Sequence, residues 1–207
     1  MTFQSRDLFA DEGELAIDTT FATATRTAID EHSWIELVPG WMSGPGVLFD
    51  ALANAVPWKQ HYRRMFDQTF LEPRMTAEYR DLRGVPHQAV RDAAAALSAR
   101  YGVTYDSVWL NLYRDGRDST GWHRDRFSCR RPICIVPVLS LGATRRFLLK
   151  PRHGGDSIAY APRSGDLIVM GGRCQEDWVH GVPKAPGAAG GRVSVNFQSA
   201  EQARREQ

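Results

Sequence analysis

From Val108 onward short strand-like segments recur, and in two of them, 108–113 and 192–198, apolar and polar residues alternate with a period of two, a pattern that only an extended strand keeps on two faces. The segments 108–113, 133–140, 145–150, 157–161, 166–170, 177–182 and 192–197 recur at even spacing with turn residues between them. Short strands at even spacing predict a sandwich or a jelly roll, a double-stranded β-helix. Two helices are expected upstream. Val47 to Trp58 carries Leu48, Leu52 and Val56 at helical spacing and is closed by Pro57. Gln88 to Arg100 sets Val90, Ala94 and Leu97 on one side, with Gly102 just past its end. The expected fold class is therefore α+β, mainly β, with N-terminal helices packed on the outside of the sheet.

Two strands carry an unusual polar face. Val108-Trp-Leu-Asn-Leu-Tyr113 puts Trp109, Asn111 and Tyr113 on one side, opposite Leu110 and Leu112. Arg192-Val-Ser-Val-Asn-Phe-Gln198 sets Arg192, Ser194, Asn196 and Gln198 against Val193, Val195 and Phe197. Polar groups inside a sheet need partners, and a small anion held by the Arg192 guanidinium would provide one. Between these strands stand His123-Arg-Asp125 and, far downstream, His180. Two histidines and one carboxylate on one face of a metal leave positions open for a co-substrate and oxygen, the pattern of non-haem Fe(II) oxygenases. His-x-Asp alone is weak evidence, and its weight comes from the flanking strands. A zinc site from Cys129, Cys134, Cys174 and a histidine is the competing metal reading, but those spacings fit no common zinc pattern.

Across most of its length the chain resembles the AlkB family of iron- and 2-oxoglutarate-dependent dioxygenases, in its nucleic-acid repair branch. The motifs run in family order: Pro73-Arg74-Met-Thr-Ala-Glu-Tyr79, Asn111-x-Tyr113-x-Asp-Gly, Ser140-Leu-Gly-Ala-Thr-Arg-Arg-Phe147, Gly165-Asp-Leu-Ile-Val-Met170 and the closing strand. The resemblance implies that His123, Asp125 and His180 bind Fe(II), that Arg192 pairs with the distal carboxylate of 2-oxoglutarate, and that Asn111, Tyr113 and Ser194 line the cofactor. It implies oxidative demethylation of alkylated DNA, or RNA, of the 1-methyladenine and 3-methylcytosine type, with release of succinate, CO2 and formaldehyde. Because buried iron cannot reach a stacked base, the nucleotide must be flipped out.

Two positions depart from the family pattern. Gln198, counted with the cofactor residues, stands where a second arginine is usual, and Arg145 or Arg146 is a candidate to replace its charge. Phe127 stands where repair members carry an acidic residue that recognises the cationic base. Phe127 and Tyr79 are candidates to stack on a base, Arg74 to contact substrate, and Phe66, within Met65-Phe66, to act as an inserted wedge. The same iron chemistry on RNA or protein, and a weakly active nucleic-acid or clamp-binding module, are the alternative readings.

With 207 residues the chain suits one well-buried domain. Residues 1–30 read as a flexible N-terminal segment, 31–200 as the dioxygenase domain and about 105–200 as its jelly roll. Within that segment Asp7-Leu8-Phe9 resembles a sliding-clamp docking motif. A hydrophobic content of 43% without a spanning apolar run excludes a helical membrane protein, and the N-terminus lacks a signal-peptide pattern. Three cysteines argue against a disulfide framework and fit a cytoplasmic setting; a monomer is expected. A net charge of +2 confines any nucleic-acid footprint to a local patch, for which Arg114, Arg117, Arg124, Arg126, Arg130 and Arg131 are candidates. His32, His61, His87 and His153 are expected to be exposed.

Overall fold

The computed structural model describes residues 14–65, 67–125, 129–187 and 190–203. Strands β1 (Ala16–Ile17), β2 (Thr25–Ala28), β3 (Ser33–Val38) and β4 (Met42–Ser43) precede helix α1 (Pro45–Ala55). Strands β5 (Tyr62–Met65), β6 (Gln68–Leu71) and β7 (Met75–Tyr79) lead to helix α2 (Gln88–Tyr101). Then come β8 (Ser107–Tyr113), β9 (Thr120–His123), β10 (Cys134–Gly142), β11 (Phe147–Pro151), β12 (Ile158–Tyr160) and β13 (Leu167–Gly172). The short α3 (Cys174–Asp177), β14 (Trp178–Val182), β15 (Arg192–Gln198) and a last turn of helix α4 (Ala200–Ala203) follow.

A seven-stranded sheet runs β2-β3-β13-β10-β15-β8-β7, and a four-stranded sheet runs β12-β11-β14-β9. Every pairing in both is antiparallel. Strand alternation divides the core in two. Leu139 and Leu141 of β10, Leu167 and Val169 of β13, and Val193, Val195 and Phe197 of β15 share one apolar cluster with Leu48 and Leu52 of α1 and Val90, Ala94 and Leu97 of α2. The next residues along the same strands, Val136, Val138, Ile168 and Met170, meet Phe147, Leu149, Trp178 and Val182 of the small sheet. Both helices stop where their sequence dictates: Val56, next to Pro57, is extended, and Gly102 closes α2 in the left-handed conformation at φ 65°. No helix among the described residues is long and apolar enough to cross a membrane.

Two expectations are corrected. The segment read as flexible extends too far, because Ala16–Ile17 pairs with β4 and Thr25–Ala28 forms the edge of the large sheet beside β3. Its short, polar strands lack the apolar period that would mark them. Asp7, Leu8 and Phe9 lie outside the described residues. Second, Cys129 and Cys134 are joined by a disulfide, with Cα atoms 6.0 Å apart, while Cys174 is free and buried. An odd cysteine count does not prevent one local pair, so the cysteine argument for a reducing compartment falls away. Nor do the three sulfurs form a zinc site: the group of potential metal ligands among the described residues is His123, Asp125 and His180.

Strand β3 is tied to α2 by charge. Glu36 is buried, and its carboxylate accepts hydrogen bonds from Arg26 (2.9 Å), Arg100 (2.8 Å) and the Tyr101 hydroxyl (2.6 Å). Burial alone would raise its pKa, but the bonds from Tyr101, Arg100 and Arg26 outweigh that and hold it below the ordinary 4.5. The stabilisation is therefore present above the unfolded-state value and is lost as pH falls through the lower folded one. Glu36→Gln is expected to cost about 1.5–3 kcal/mol at pH 7 and to flatten the acid limb of stability against pH. Urea unfolding of both proteins at neutral and acid pH checks this; parallel curves would show that Glu36 does not set the dependence.

Candidate active site

The cavity lies between the two sheets on the faces that carry polar residues and opens to solvent. Its wall is set by register. Along β15 and β8, Arg192 pairs with Tyr113, Ser194 with Asn111 and Asn196 with Trp109. Both polar faces thus point to one side. Arg74, Thr120, His123, Phe147 and His180 complete the polar and aromatic lining.

The donor cluster forms at the edge of the small sheet. His123 on β9 and His180 on β14 are direct cross-strand partners, and their ring centroids lie 4.3 Å apart. Asp125 approaches both, with Oδ1 3.6 Å from His123 Nε2 and Oδ2 3.4 Å from His180 Nε2. One ligand atom from each of the three falls within 4.8 Å of the others. Strand β9 ends at His123, so Asp125 is placed by a turn beyond the strand and not by the i, i+2 alternation expected for it. His123 Nδ1 meets the Gly121 carbonyl at 2.9 Å, which leaves Nε2 for a metal. Burial, reinforced by the neighbouring His180, lowers the His123 pKa to about 4, so the imidazole is neutral and ligand-ready at pH 7. Burial would raise Asp125, but the proximity of His180, His123 and Arg74 holds it below the usual carboxylate range. A neutral imidazole and an ionised carboxylate are the forms that bind a divalent cation.

The same cavity is lined by a buried guanidinium. Arg192 is fully buried; Nη2 donates to Ser140 Oγ at 2.9 Å, while Nε and Nη1 have no hydrogen-bond partner among the described residues. Burial pulls this guanidinium below its ordinary pKa, and a carboxylate beside it would relieve that cost. The Arg192 guanidinium lies 5.4 Å from the centre of the Tyr113 ring, and that of Arg145 lies 5.6 Å from it. Tyr113 shares a hydrogen bond of 2.8 Å with Thr120. Asn111 donates to Ser194 at 3.1 Å, and Asn196 donates to the Trp109 carbonyl at 2.9 Å.

Several expected roles change. Arg145 does not replace a missing guanidinium at Gln198: it is buried, and its Nη atoms donate to the backbone carbonyls of Asp115, Asp118 and Pro183. Arg146 is exposed. Gln198 lies at the far end of β15 opposite Ser107 and is absent from the cavity wall. The second guanidinium in the wall is that of Arg74, read beforehand as a substrate contact, which donates to Asn111 Oδ1 at 2.9 Å and Thr120 Oγ1 at 2.7 Å. Tyr79 is turned away from the cavity. Alternation along β7 packs Met75, Ala77 and Tyr79 against the helix-side core, so Tyr79 is no base-stacking partner. Phe66 and Phe127 lie outside the described residues.

The arginine patch is largely paired, with Arg114 on Asp118 (2.8 Å), Arg117 on Asp115 (2.7 Å) and Arg131 on Glu201 (3.1 Å). Arg124 donates to the Glu176 carbonyl at 3.3 Å, and Arg126 lies outside the described residues. Of the other histidines, His32, His61 and His153 are exposed, but His87 caps α2 by accepting from the Ala89 N–H at 3.2 Å. Gln175, which sequence reading missed, bonds Asp125 from α3; a glutamine in a polar four-residue turn carries no pattern that marks it.

Among curated proteins the chain is similar to human alpha-ketoglutarate-dependent dioxygenase alkB homolog 3, 32% identical over 173 aligned positions covering 73% of this chain and 60% of that protein. It is also similar to DNA oxidative demethylase ALKBH2 of Arabidopsis thaliana, 28% identical over 189 positions covering 72% and 60%. The chain thus spans about 60% of the length of these relatives. Among solved structures, a 2OG-Fe(II) oxygenase family oxidoreductase from Burkholderia pseudomallei superposes with a TM-score of 0.55 at 19% identity, covering 82% of this chain and 88% of that one. OsALKBH1 superposes at 0.53 and 14% identity, covering 84% and 100%. At such identities the likeness is one of fold. The sequence model described as "2OG-Fe(II) oxygenase superfamily" matches residues 48–198, from within α1 to the end of β15. Since that span takes in the paired histidines and Arg192 together, the chain belongs to the 2OG-Fe(II) oxygenase superfamily, as one of its AlkB-type dioxygenases.

Proposed function

We propose that this chain oxidatively demethylates alkylated nucleic acid, with DNA carrying 1-methyladenine or 3-methylcytosine as its substrate. The family's cofactors are Fe(II) and 2-oxoglutarate. The observation that carries the reading is Arg192, a buried cation with two unpartnered donors in the same cavity as the His123, Asp125 and His180 cluster. A dicarboxylate suits that arrangement: Arg192 takes the distal carboxylate, Asn111, Tyr113 and Ser194 line its path, and Arg74 adds a second positive charge to the wall. Bound there, Fe(II) with 2-oxoglutarate and oxygen supplies the oxidising power that hydroxylates an N-methyl carbon; the hydroxymethyl group then leaves as formaldehyde. Everything else is the chain's work. His123, Asp125 and His180 would hold the metal, the apolar core behind the cavity excludes water, and the solvent opening would admit a flipped base.

In this reading residues 31–200 act as one dioxygenase domain, whose double-stranded β-helix occupies about 105–200 with α1 and α2 on its outer face. The names of the relatives support the substrate class, and the second name supports DNA. RNA and protein substrates are the competing targets.

His123→Ala, Asp125→Ala and His180→Ala are each expected to abolish turnover and to reduce Fe(II) binding strongly, since each removes one of three protein ligands. Near wild-type activity in any of them would refute the iron assignment. Arg192→Ala is expected to raise the 2-oxoglutarate requirement about ten-fold or more, the loss of one charge-assisted hydrogen bond. A titration of succinate formation against 2-oxoglutarate reads this directly. With matched methylated oligonucleotides, equimolar succinate and formaldehyde are expected on DNA; release on RNA or a methylated peptide alone would transfer the activity to that target.

A further inference from the structure

We propose that Gln175 is the positioning residue of the metal centre, fixing the direction in which Asp125 presents its carboxylate; the inference rests on the metal-site reading above. Asp125 lies past the end of β9, where no strand ladder holds it. Its backbone N–H donates to Gln175 Oε1 at 2.7 Å, and Gln175 Nε2 approaches Asp125 Oδ2 at 3.5 Å. Its backbone carbonyl accepts from the Cys129 N–H at 2.8 Å. The residue is thus held on both sides of its Cα by groups outside β9.

Gln175 itself is 1% exposed, at a depth where an amide costs free energy unless its polar atoms are matched. Among the described residues its amide meets Asp125 and, through Nε2, the Met170 sulfur at 3.5 Å. Apart from the sulfur contact, its hydrogen-bonding capacity goes to the ligand. The pairing also fixes the amide orientation. Because Oε1 must accept the Asp125 N–H, the donor end must face the carboxylate. A neutral donor orients that carboxylate without cancelling the charge a metal needs, which a lysine or arginine in the same place would do. Oδ2, the oxygen that Nε2 approaches, is also the one 3.4 Å from His180 Nε2, so Gln175 acts on the oxygen nearest the second histidine ligand.

The test uses the full chain loaded with Co(II) alone, read by metal titration and by the visible absorption of the bound ion. Gln175→Met keeps the unbranched volume and removes both bonds. It is expected to weaken Co(II) binding ten- to hundred-fold, the usual effect of losing such a support, and to shift the absorption of the saturated protein because the ligand geometry changes. Gln175→Asn keeps the amide but retracts it by one methylene; it carries the test if the methionine variant fails to fold, and the same two changes are expected. A purely structural glutamine would lower the melting temperature of the metal-free protein yet leave the saturated spectrum unchanged, and that result overturns the proposal. So does a Co(II) affinity within two-fold of wild type in a folded variant. Asp125→Ala is the reference: if it binds Co(II) as tightly as wild type, the metal-site reading has failed as well.

Discussion

The site depends on one cross-strand pair. His123 and His180 are distant in sequence, and what unites them is the antiparallel pairing of β9 with β14, which places the two ring centroids 4.3 Å apart with the planes tilted by 56°. A slip of one residue would turn either ring to the opposite face of the sheet. Register is protected from slipping by the core beneath it, where Trp178 and Val182, flanking His180 at even spacing on β14, pack with Phe147 and Leu149. Apolar packing therefore sets the geometry of a polar centre. The Phe147 ring lies 5.4 Å from that of His180 and nearly parallel to it, so the same residue serves both.

The cavity wall opposite is a study in buried charge. Two guanidiniums, Arg145 and Arg192, approach the Tyr113 ring, yet they are satisfied in different ways. Arg145 binds three backbone carbonyls through its Nη atoms, joining the 115–118 turn to Pro183, and leaves Nε unmatched among the described residues. Arg192 is left with two donors unmatched among the described residues and lines the cavity, where an anion would suit them. The difference comes from their neighbours: a loop that folds back over Arg145 offers carbonyls, whereas Arg192 on a central strand has only the side chains of β8 and β10 beside it.

Much of this was legible in the sequence, and the reasons differ by element. The polar faces of 108–113 and 192–198 followed from period-two alternation, which strand geometry makes reliable, and the meeting of His123, Asp125 and His180 was anticipated from residue type, although Asp125 reaches the cluster from beyond the end of β9 and not by alternation. The two helices were visible in their apolar stripes and in Pro57 and Gly102. Tyr79 was misassigned because a motif names a residue without saying which face it occupies; counting alternation along β7 turns it toward the helices. Arg74 was assigned to substrate, but its position depends on how the entrance to β7 packs beside Asn111, a contact across 37 residues of sequence. Gln175 and the edge strands at 16–17 and 25–28 had no local pattern. The Cys129–Cys134 bond was missed because a count of three was taken to speak for all three sulfurs.

Strand order carries a further consequence. In the large sheet β15 lies between β8 and β10, although it is the last strand in the chain. Synthesis proceeds from the N-terminus, so β8 and β10 emerge with the edges destined for β15 bare, and they must wait for residues 192–198. Unpaired edges of this kind recruit other chains, and so distant a pairing is slow to form. The nascent protein is therefore exposed to aggregation until residues 192–198 have emerged. The strand that ends this exposure also brings Arg192, so sheet closure and the placing of Arg192 in the cavity wall are one event in folding.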